Sequence, residues 1–307
     1  MKRTCLKCHA VFADKEPVKH GLHQACFSAL FETNVSDEFE NVTARHSESF
    51  EPTSNSNGDG DLGSFFHGKF KKYSAKLGKF EYILKVKDEK EAPELPDVEF
   101  LSNLMAEKIG LPVPWFTLID FFENRTFITR NFVLEKPTAL NLVHIYHYIK
   151  TDEPYSCETI LNIIKNHSQR QKDINTFIHM CLFDALIGNH DRHGRNIAIL
   201  TSGSKSYLAP IYDNPSFLGL ETGNMLKAQF DPKCRIATSK TDSPTLKEYI
   251  QEFIRLGCSK DVHKFKKNVH LKDIVALIEN STCRPLMKQA IEKLITKRYG
   301  DMQNVLL

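Results

Sequence analysis

Apolar and polar residues alternate in two short stretches early in the chain. YSAKL and FEYILKV, separated by Gly78–Lys79, predict a hairpin with a tight turn. After the extended segment KDEKEAPELPD the period lengthens. In VEFLSNLMAEKIG, Phe100, Leu101, Leu104, Met105 and Ile109 fall near helical spacing, and Gly110 ends the pattern. FTLIDF and TFITRNFVL return to strand patterning, joined at Glu123–Asn124. From about residue 138 helical periodicity dominates. INTFIHMCLFDALIG carries apolar residues at 174, 177, 178, 181, 182, 185 and 186, and TLKEYIQEFIRLG at 246, 249, 250, 253 and 254. PLMKQAIEKLITKRYG does so at 287, 290, 291, 294 and 295 and is expected to end at Gly300. A smaller mixed half ahead of a larger helical half predicts an α+β, two-lobed arrangement with a cleft between the lobes.

The flanks differ in character. Residues 1–31 form a small Cys/His-bearing segment, and 32–62 is polar, acidic and poor in large aliphatics, which reads as a linker. The expected division is therefore 1–31, the linker 32–62, an N-lobe over 63–135 and a helical C-lobe over 136–307. With 307 residues and 41% hydrophobic content, the chain can bury the core of one or two domains. A net charge of +3 spread over this length argues for neither nucleic-acid nor membrane binding. Charges interrupt every apolar run well short of a spanning helix, and MKRTCLKCHA lacks the apolar stretch of a secretion signal. A cytoplasmic protein is expected, acting in its own bacterial cell or delivered to a host cytosol.

Candidate chemistry concentrates in two polar loops. LFDALIGNHDRHGRNIAIL begins as a helix, breaks at Gly188–Asn189, passes through NHDRHGRN and resumes as a strand. YLAPIYDNPSFLG then places Asp213, Asn214 and Pro215 after a short β-like run. Two such loops flanking a hairpin can bring Asp191, Asn196 and Asp213 together. Phosphoryl transfer requires this mix: a carboxylate to orient and deprotonate the attacking hydroxyl, and hard oxygen donors for Mg²⁺. The Asp-x4-Asn spacing equals that of the protein-kinase catalytic loop. His193 and Arg195 are placed to touch the transferred phosphate. On spacing alone, an Asx turn at Asp191 and a helix cap at Asp213 account for the same residues.

IGNHDRHGRN followed by LAPIYDN resembles the HipA-like serine/threonine kinases, bacterial toxins of toxin–antitoxin systems. KYSAKLGKFEYILKV is similar to the family hairpin that ends in the ATP lysine, here Lys85. PELPDVEFLSNLMAEKIGLPVP is similar to the helix that follows, with Glu99 as its acidic residue, and FITRNF to the segment joining the lobes. The resemblance spans roughly residues 64–300, and the short N-terminus resembles the compact HipT branch. It implies a protein-kinase-like fold. It also implies that Lys85 holds the ATP phosphates, Glu99 orients Lys85, and the backbone of Arg130–Phe132 faces adenine. Asp191 would act as base, with Asn196 and Asp213 binding Mg²⁺. The phosphate loop departs from the family: His67-Gly68-Lys69-Phe70-Lys71-Lys72 has no serine where relatives carry one linked to self-inhibition, though Ser54, Ser56 and Ser64 lie nearby.

Cys5-x2-Cys8 and His23-x2-Cys26 give four soft ligands in two pairs at structural-zinc spacing, with His9 and His20 as competing ligands. Free thiols in a small helical cap are the alternative. Cys157, Cys181, Cys234, Cys258 and Cys283 are scattered, as buried free thiols would be.

The leading expectation is an ATP- and Mg²⁺-dependent serine/threonine kinase. By resemblance its substrate is a protein of translation such as an aminoacyl-tRNA synthetase, and an antitoxin protein is its partner. A phosphatidylinositol-type lipid kinase is the alternative on the DRHxxN…D pattern, with the basic KFKKNVHLK at 264–272 meeting anionic membrane. A non-catalytic pseudokinase is the other, opened by the unusual His67 loop.

Overall fold

β-Branched and aromatic residues in period two build the first half of the molecule, and one face of the resulting sheet must find cover. The structure, a computed structural model, describes residues 3–45, 71–87, 92–135, 140–228 and 231–305. It divides into two units, Met1–Pro96 with Trp115–Asn131, and Asp97–Pro114 with Phe132–Leu307.

The first unit opens with a two-stranded hairpin, β1 (Val18–Lys19) and β2 (Leu22–His23), which leads into helix α1 (Gln24–Phe31). An antiparallel five-stranded sheet follows, built from β3 (Glu40–Arg45), β4 (Lys71–Leu77), β5 (Phe80–Val86), β6 (Phe116–Phe121) and β7 (Asn124–Arg130). Its spatial order is β3-β4-β5-β7-β6. The expected turn at Gly78–Lys79 holds, and the second falls at Phe122–Glu123, one residue earlier than expected. Gly78 takes φ 58°, and Phe122 and Glu123 take φ 46° and 62°, the left-handed pair that a tight right-twisted hairpin needs. Ala75, Leu77, Tyr82, Leu84, Ile119, Phe121 and Ile128 share one face, where they pack with Leu22, Phe27 and Phe31. The Cys/His segment thus completes the core of the sheet. The stretch expected as a linker contributes β3, whose described side chains are all exposed. A strand with no buried face leaves no hydrophobic alternation, so only its backbone pairing with β4 reveals it.

The second unit is organised on α4 (Gln171–Ile187), buried nearly all round. It follows α2 (Leu95–Lys108), β8 (Asn141–His144) and α3 (Cys157–Ser168). Next come β9 (Ala198–Ser202), β10 (Lys205–Leu208) and the short α5 (Asn224–Lys227). The last four helices are α6 (Leu246–Arg255), α7 (Ser259–Asn268), α8 (Leu271–Glu279) and α9 (Pro285–Gln303). Thr245 and Glu248 form a reciprocal capping box that starts α6. Helix α9 runs past Gly300 instead of ending there, because fully buried Met302 holds the following turn in the core. β8, β9 and β10 form a three-stranded antiparallel sheet inside the otherwise helical half, in the order β10-β9-β8. No helix among the described residues is long and apolar enough to cross a membrane.

Candidate active site

Helix α4 ends where its sequence turns from apolar to polar. Gly188 adopts φ 79° and returns its N–H to the Asp184 carbonyl, a left-handed helix stop. A larger residue would be excluded there, since a Cβ would meet Leu294 Cδ2 at 2.9 Å. The chain then enters NHDRHGRN. Asn189 donates its side-chain amide to Asp184 Oδ1 at 2.9 Å, and its own Oδ1 accepts the Asp191 N–H at 3.1 Å. The Asx turn in this loop is therefore made by Asn189, which leaves the Asp191 carboxylate outside it. Asn196 donates its amide N–H to the Asp191 carbonyl at 3.0 Å, which orients its Oδ1 as the available hard donor.

At the centre lies Arg192, 1% exposed. Its Nε and Nη2 donate to the two carboxylate oxygens of Asp184 at 2.7 and 2.9 Å. Nη1 also donates to the carbonyls of Asn196 at 3.2 Å and Tyr212 at 2.6 Å, and Nη2 to Asn214 Oδ1 at 2.6 Å. Tyr212 and Asn214 flank Asp213. One guanidinium therefore ties the end of α4 to the loop of Asp191 and Asn196 and to the loop of Asp213. Burial works against the charge on Arg192, but the Asp184 carboxylate outweighs it and raises the pKa. Asn214, fully buried, also donates to Asn103 of α2 at 3.0 Å.

Asp213 itself adopts φ 53°, the left-handed region. It caps no helix; the following 3-10 turn is capped by Ser216, which accepts the Leu218 N–H. Burial, and then the Asp213 charge, push the Tyr212 phenol pKa up, so the hydroxyl stays protonated and donates to the Arg195 carbonyl at 2.8 Å. Beside Asp191 stand Arg235, with Nη1 3.5 Å from Oδ1, and His193, with Nε2 3.9 Å from Oδ2. His193 Nδ1 accepts the Arg195 N–H at 3.2 Å, and the Arg195 guanidinium lies 5.8 Å from the Tyr146 ring centre. Gly194 presses on Tyr146, where a Cβ would fall 2.8 Å from Tyr146 Cβ.

The structure thus gathers Asp191, Asn196 and Asp213, with His193 and Arg195, into two loops held by one clasp. Asp184, Asn189, Arg192, Asn214 and Arg235, which do this holding, escape a reading of motif spacing. Asp184 is the one with a signal, an acidic residue inside an otherwise apolar helix stretch.

In the sheet unit, Lys85 of β5 is 6% exposed, with Nζ 5.7 Å from the centre of the Phe127 ring on the neighbouring strand. Alternation turns it to the face opposite Leu84 and Val86. In the helical unit, Glu99 of α2 is 2% exposed. Arg130 stacks its guanidinium 3.7 Å from the Phe80 ring centre and 4.6 Å from that of Trp115, and pairs with Glu32 at 3.1 Å. The backbone N–H groups of Arg130 and Asn131 donate to Trp115 and Glu81 carbonyls. Phe132 packs on Tyr212 with ring centres 5.6 Å apart. Gly68, Ser64 and the rest of the candidate phosphate loop up to residue 70 lie outside the described residues, as do Ser54 and Ser56.

Cys5, Cys8, His23 and Cys26 converge, with their ligand atoms all within 4.8 Å of one another. Burial disfavours the Cys5 thiolate, yet backbone N–H groups of Cys8, His23 and Lys7 outweigh it and lower the pKa to about 6.

Solved structures place the fold among kinases. A Helicobacter pylori proinflammatory kinase, CtkA, superimposes with a TM-score of 0.61 at 16% identity, covering 75% of this chain and 90% of that one. A chain of the Shewanella oneidensis MR-1 toxin–antitoxin complex of HipA, HipB and operator DNA does so with a TM-score of 0.57 at 13% identity, covering 87% of this chain and 75% of that one. No curated protein sequence matches significantly. The family model described as the HipA-like C-terminal domain matches residues 64–282, and the chain belongs to that family.

Proposed function

We infer that this protein is an ATP-dependent serine/threonine protein kinase of the HipA/HipT toxin type. The observation that carries the reading is the Arg192 clasp. It ties the Tyr212 carbonyl and the Asn214 side chain, on either side of Asp213, to the backbone of Asn196, so the residues suited to bind a cation and orient a hydroxyl are held in advance of substrate.

The donor set fits Mg²⁺: Asn196 contributes an amide oxygen and Asp213 a carboxylate, both hard oxygen ligands. When bound, the ion would neutralise phosphate charge. Asp191 would accept the proton of the substrate hydroxyl, with Arg235 supplying positive charge beside it. His193 and Arg195 lie in the same loop, within reach of the transferred group. Lys85, on a sheet strand and desolvated, would hold the nucleotide phosphates, and Glu99 would support it. The Arg130–Phe132 backbone would line the adenine side, with Gly68 in the phosphate loop. The Arg130 side chain is committed to its stack on Phe80 and Trp115, so it would contribute through the main chain only.

The substrate we infer is a protein of translation, an aminoacyl-tRNA synthetase being the leading class. An antitoxin protein would be the partner, as HipB is in the Shewanella complex, and the protein would act in a cytosol. For the lipid-kinase alternative, Phe265 and Val269 of KFKKNVHLK are buried in the helical core, so that stretch would meet an anionic membrane through exposed Lys264, Lys267 and His270 and not through an inserted apolar face.

The test is incubation of the full chain with labelled ATP and either bacterial and eukaryotic lysates or anionic lipid vesicles, with Asp191→Ala as control, followed by phosphoproteomics. The expected result is a small set of serine or threonine phosphosites that disappear with the variant. Lipid labelling without protein labelling, or no Asp191-dependent labelling at all, would overturn the reading.

A further inference from the structure

We propose that Cys5, Cys8, His23 and Cys26 hold one structural Zn²⁺, and that this ion braces the sheet strand carrying Lys85. The proposal stands independently of phosphoryl transfer.

The ligands come from three separate places: the turn after Thr4, the end of the β1–β2 hairpin and the first turn of α1. Nothing in chain connectivity requires four soft side chains from these places to point at one another, yet they do. Tetrahedral zinc with bonds of about 2.3 Å needs ligand atoms about 3.8 Å apart. The observed cluster, within 4.8 Å throughout, is close to that before any metal draws it in. Cys8 Sγ lies 3.3 Å and Cys26 Sγ 3.9 Å from His23 Nδ1, which selects Nδ1 as the ligand nitrogen.

The other nitrogen of His23 supports this choice. Nε2 lies 3.6 Å from Glu16 Oε2, and that carboxylate is itself anchored by the Ala13 N–H at 2.9 Å. A carboxylate on the far side of a ligating imidazole is the arrangement that fixes tautomer and ring orientation in metal sites. The competing ligand His20 is committed elsewhere. Its Nδ1 sits 3.2 Å from the Asp120 carbonyl, and its ring packs among Phe27, Phe39 and Phe121. Three sulfurs and one imidazole nitrogen in a tetrahedron select zinc over hard cations.

The coordinated segment has almost no core of its own, so its shape must come from the ion and from the sheet. The route into the sheet is short. Cys26 precedes Phe27, which packs with Phe31 against the face formed by Tyr82, Leu84, Ile119, Phe121 and Ile128. Glu32, at the end of α1, binds Arg130 of β7 and Lys79 of the β4–β5 turn. The His20 carbonyl accepts the Asp120 N–H at 2.9 Å, and a Cβ at Gly21 would fall 2.6 Å from Asp120 Oδ2. The module therefore grips β5, β6 and β7 from the face opposite Lys85.

Two measurements on the purified full chain test the two parts. Elemental analysis is expected to find one zinc per chain. Replacement by Co²⁺ is expected to give the intense visible bands of a tetrahedral ion with sulfur-to-metal charge transfer. His23→Cys should retain binding and shift the bands to those of four thiolates, and Glu16→Gln should weaken affinity about 10–100-fold. A chain free of zinc, cobalt without charge-transfer bands, or an unaltered spectrum in His23→Cys would overturn the site. For bracing, removal of the metal is expected to accelerate amide hydrogen exchange in Phe80–Val86 and Asn124–Arg130 while leaving Gln171–Ile187 unchanged. Unchanged exchange in both strands after metal loss would overturn the brace even with the site intact.

Discussion

Arg192 and Asp184, eight residues apart, form a two-point ion pair at 2.7 and 2.9 Å with both side chains about 2% exposed. Motif spacing does not pair the two, yet the loops that carry Asp191, Asn196 and Asp213 hang from them. A buried pair of this kind often adds little net stability over apolar replacement, but breaking one side is costly because the other charge remains buried.

Arg192→Ala or Asp184→Ala is therefore expected to lower unfolding free energy by about 3–5 kcal/mol in urea titration. The double variant Arg192→Met with Asp184→Leu removes both buried charges but leaves the Asn196 and Tyr212 carbonyls and the Asn214 amide oxygen without this donor, so it should recover only part of that stability and none of the phosphoryl transfer. A double variant that regains activity would mean that the clasp does not position Asp213 and Asn196.

Asp213 sits at φ 53°, a conformation Asn tolerates and Ala does not adopt cheaply. Asp213→Asn should keep the thermal midpoint near wild type while reducing phosphoryl transfer by at least about a thousandfold, the equivalent of about 4 kcal/mol of transition-state stabilisation. Asp213→Ala should add about 1–2 kcal/mol of backbone strain. Residual activity within tenfold for the Asn variant would remove Asp213 from the metal-binding role.

His190 lies beside Phe217, with ring centres 4.6 Å apart. Burial, and then the Arg235 charge, lower its pKa to about 4. An unfolded chain protonates this imidazole near pH 6.5, whereas the folded one resists until about pH 4, so stability is full above 6.5 and is lost as pH falls through that window. The expected loss from this residue is about 3 kcal/mol between those limits. His190→Gln should flatten the acid limb of the stability curve by that amount in chemical denaturation; an unchanged slope would show that His190 titrates normally.

Much of the architecture was readable where burial imposes a period. The β4–β5 hairpin, α4 and α6 all present one or more faces to a core, and each was legible from apolar spacing. β3 was not, because its exposed side chains leave no pattern. β8 was hidden within a region of helical character. The end of α9 was misplaced because Gly300 is a local stop signal that buried Met302 overrides.

The sequence by itself determined the order of those elements that bury a periodic face, the family resemblance through NHDRHGRN and YDN, and the spacing of the Cys/His pairs. These rest on short-range periodicity and local motifs, which a linear chain displays directly. Only the tertiary structure decided that Arg192 joins the two loops, that the Cys/His segment closes the sheet core, and that His23 faces the sulfurs while His20 does not. Those depend on which side chains become buried together. Burial turns an ordinary arginine into a group that satisfies a carboxylate, two carbonyls and an amide at once.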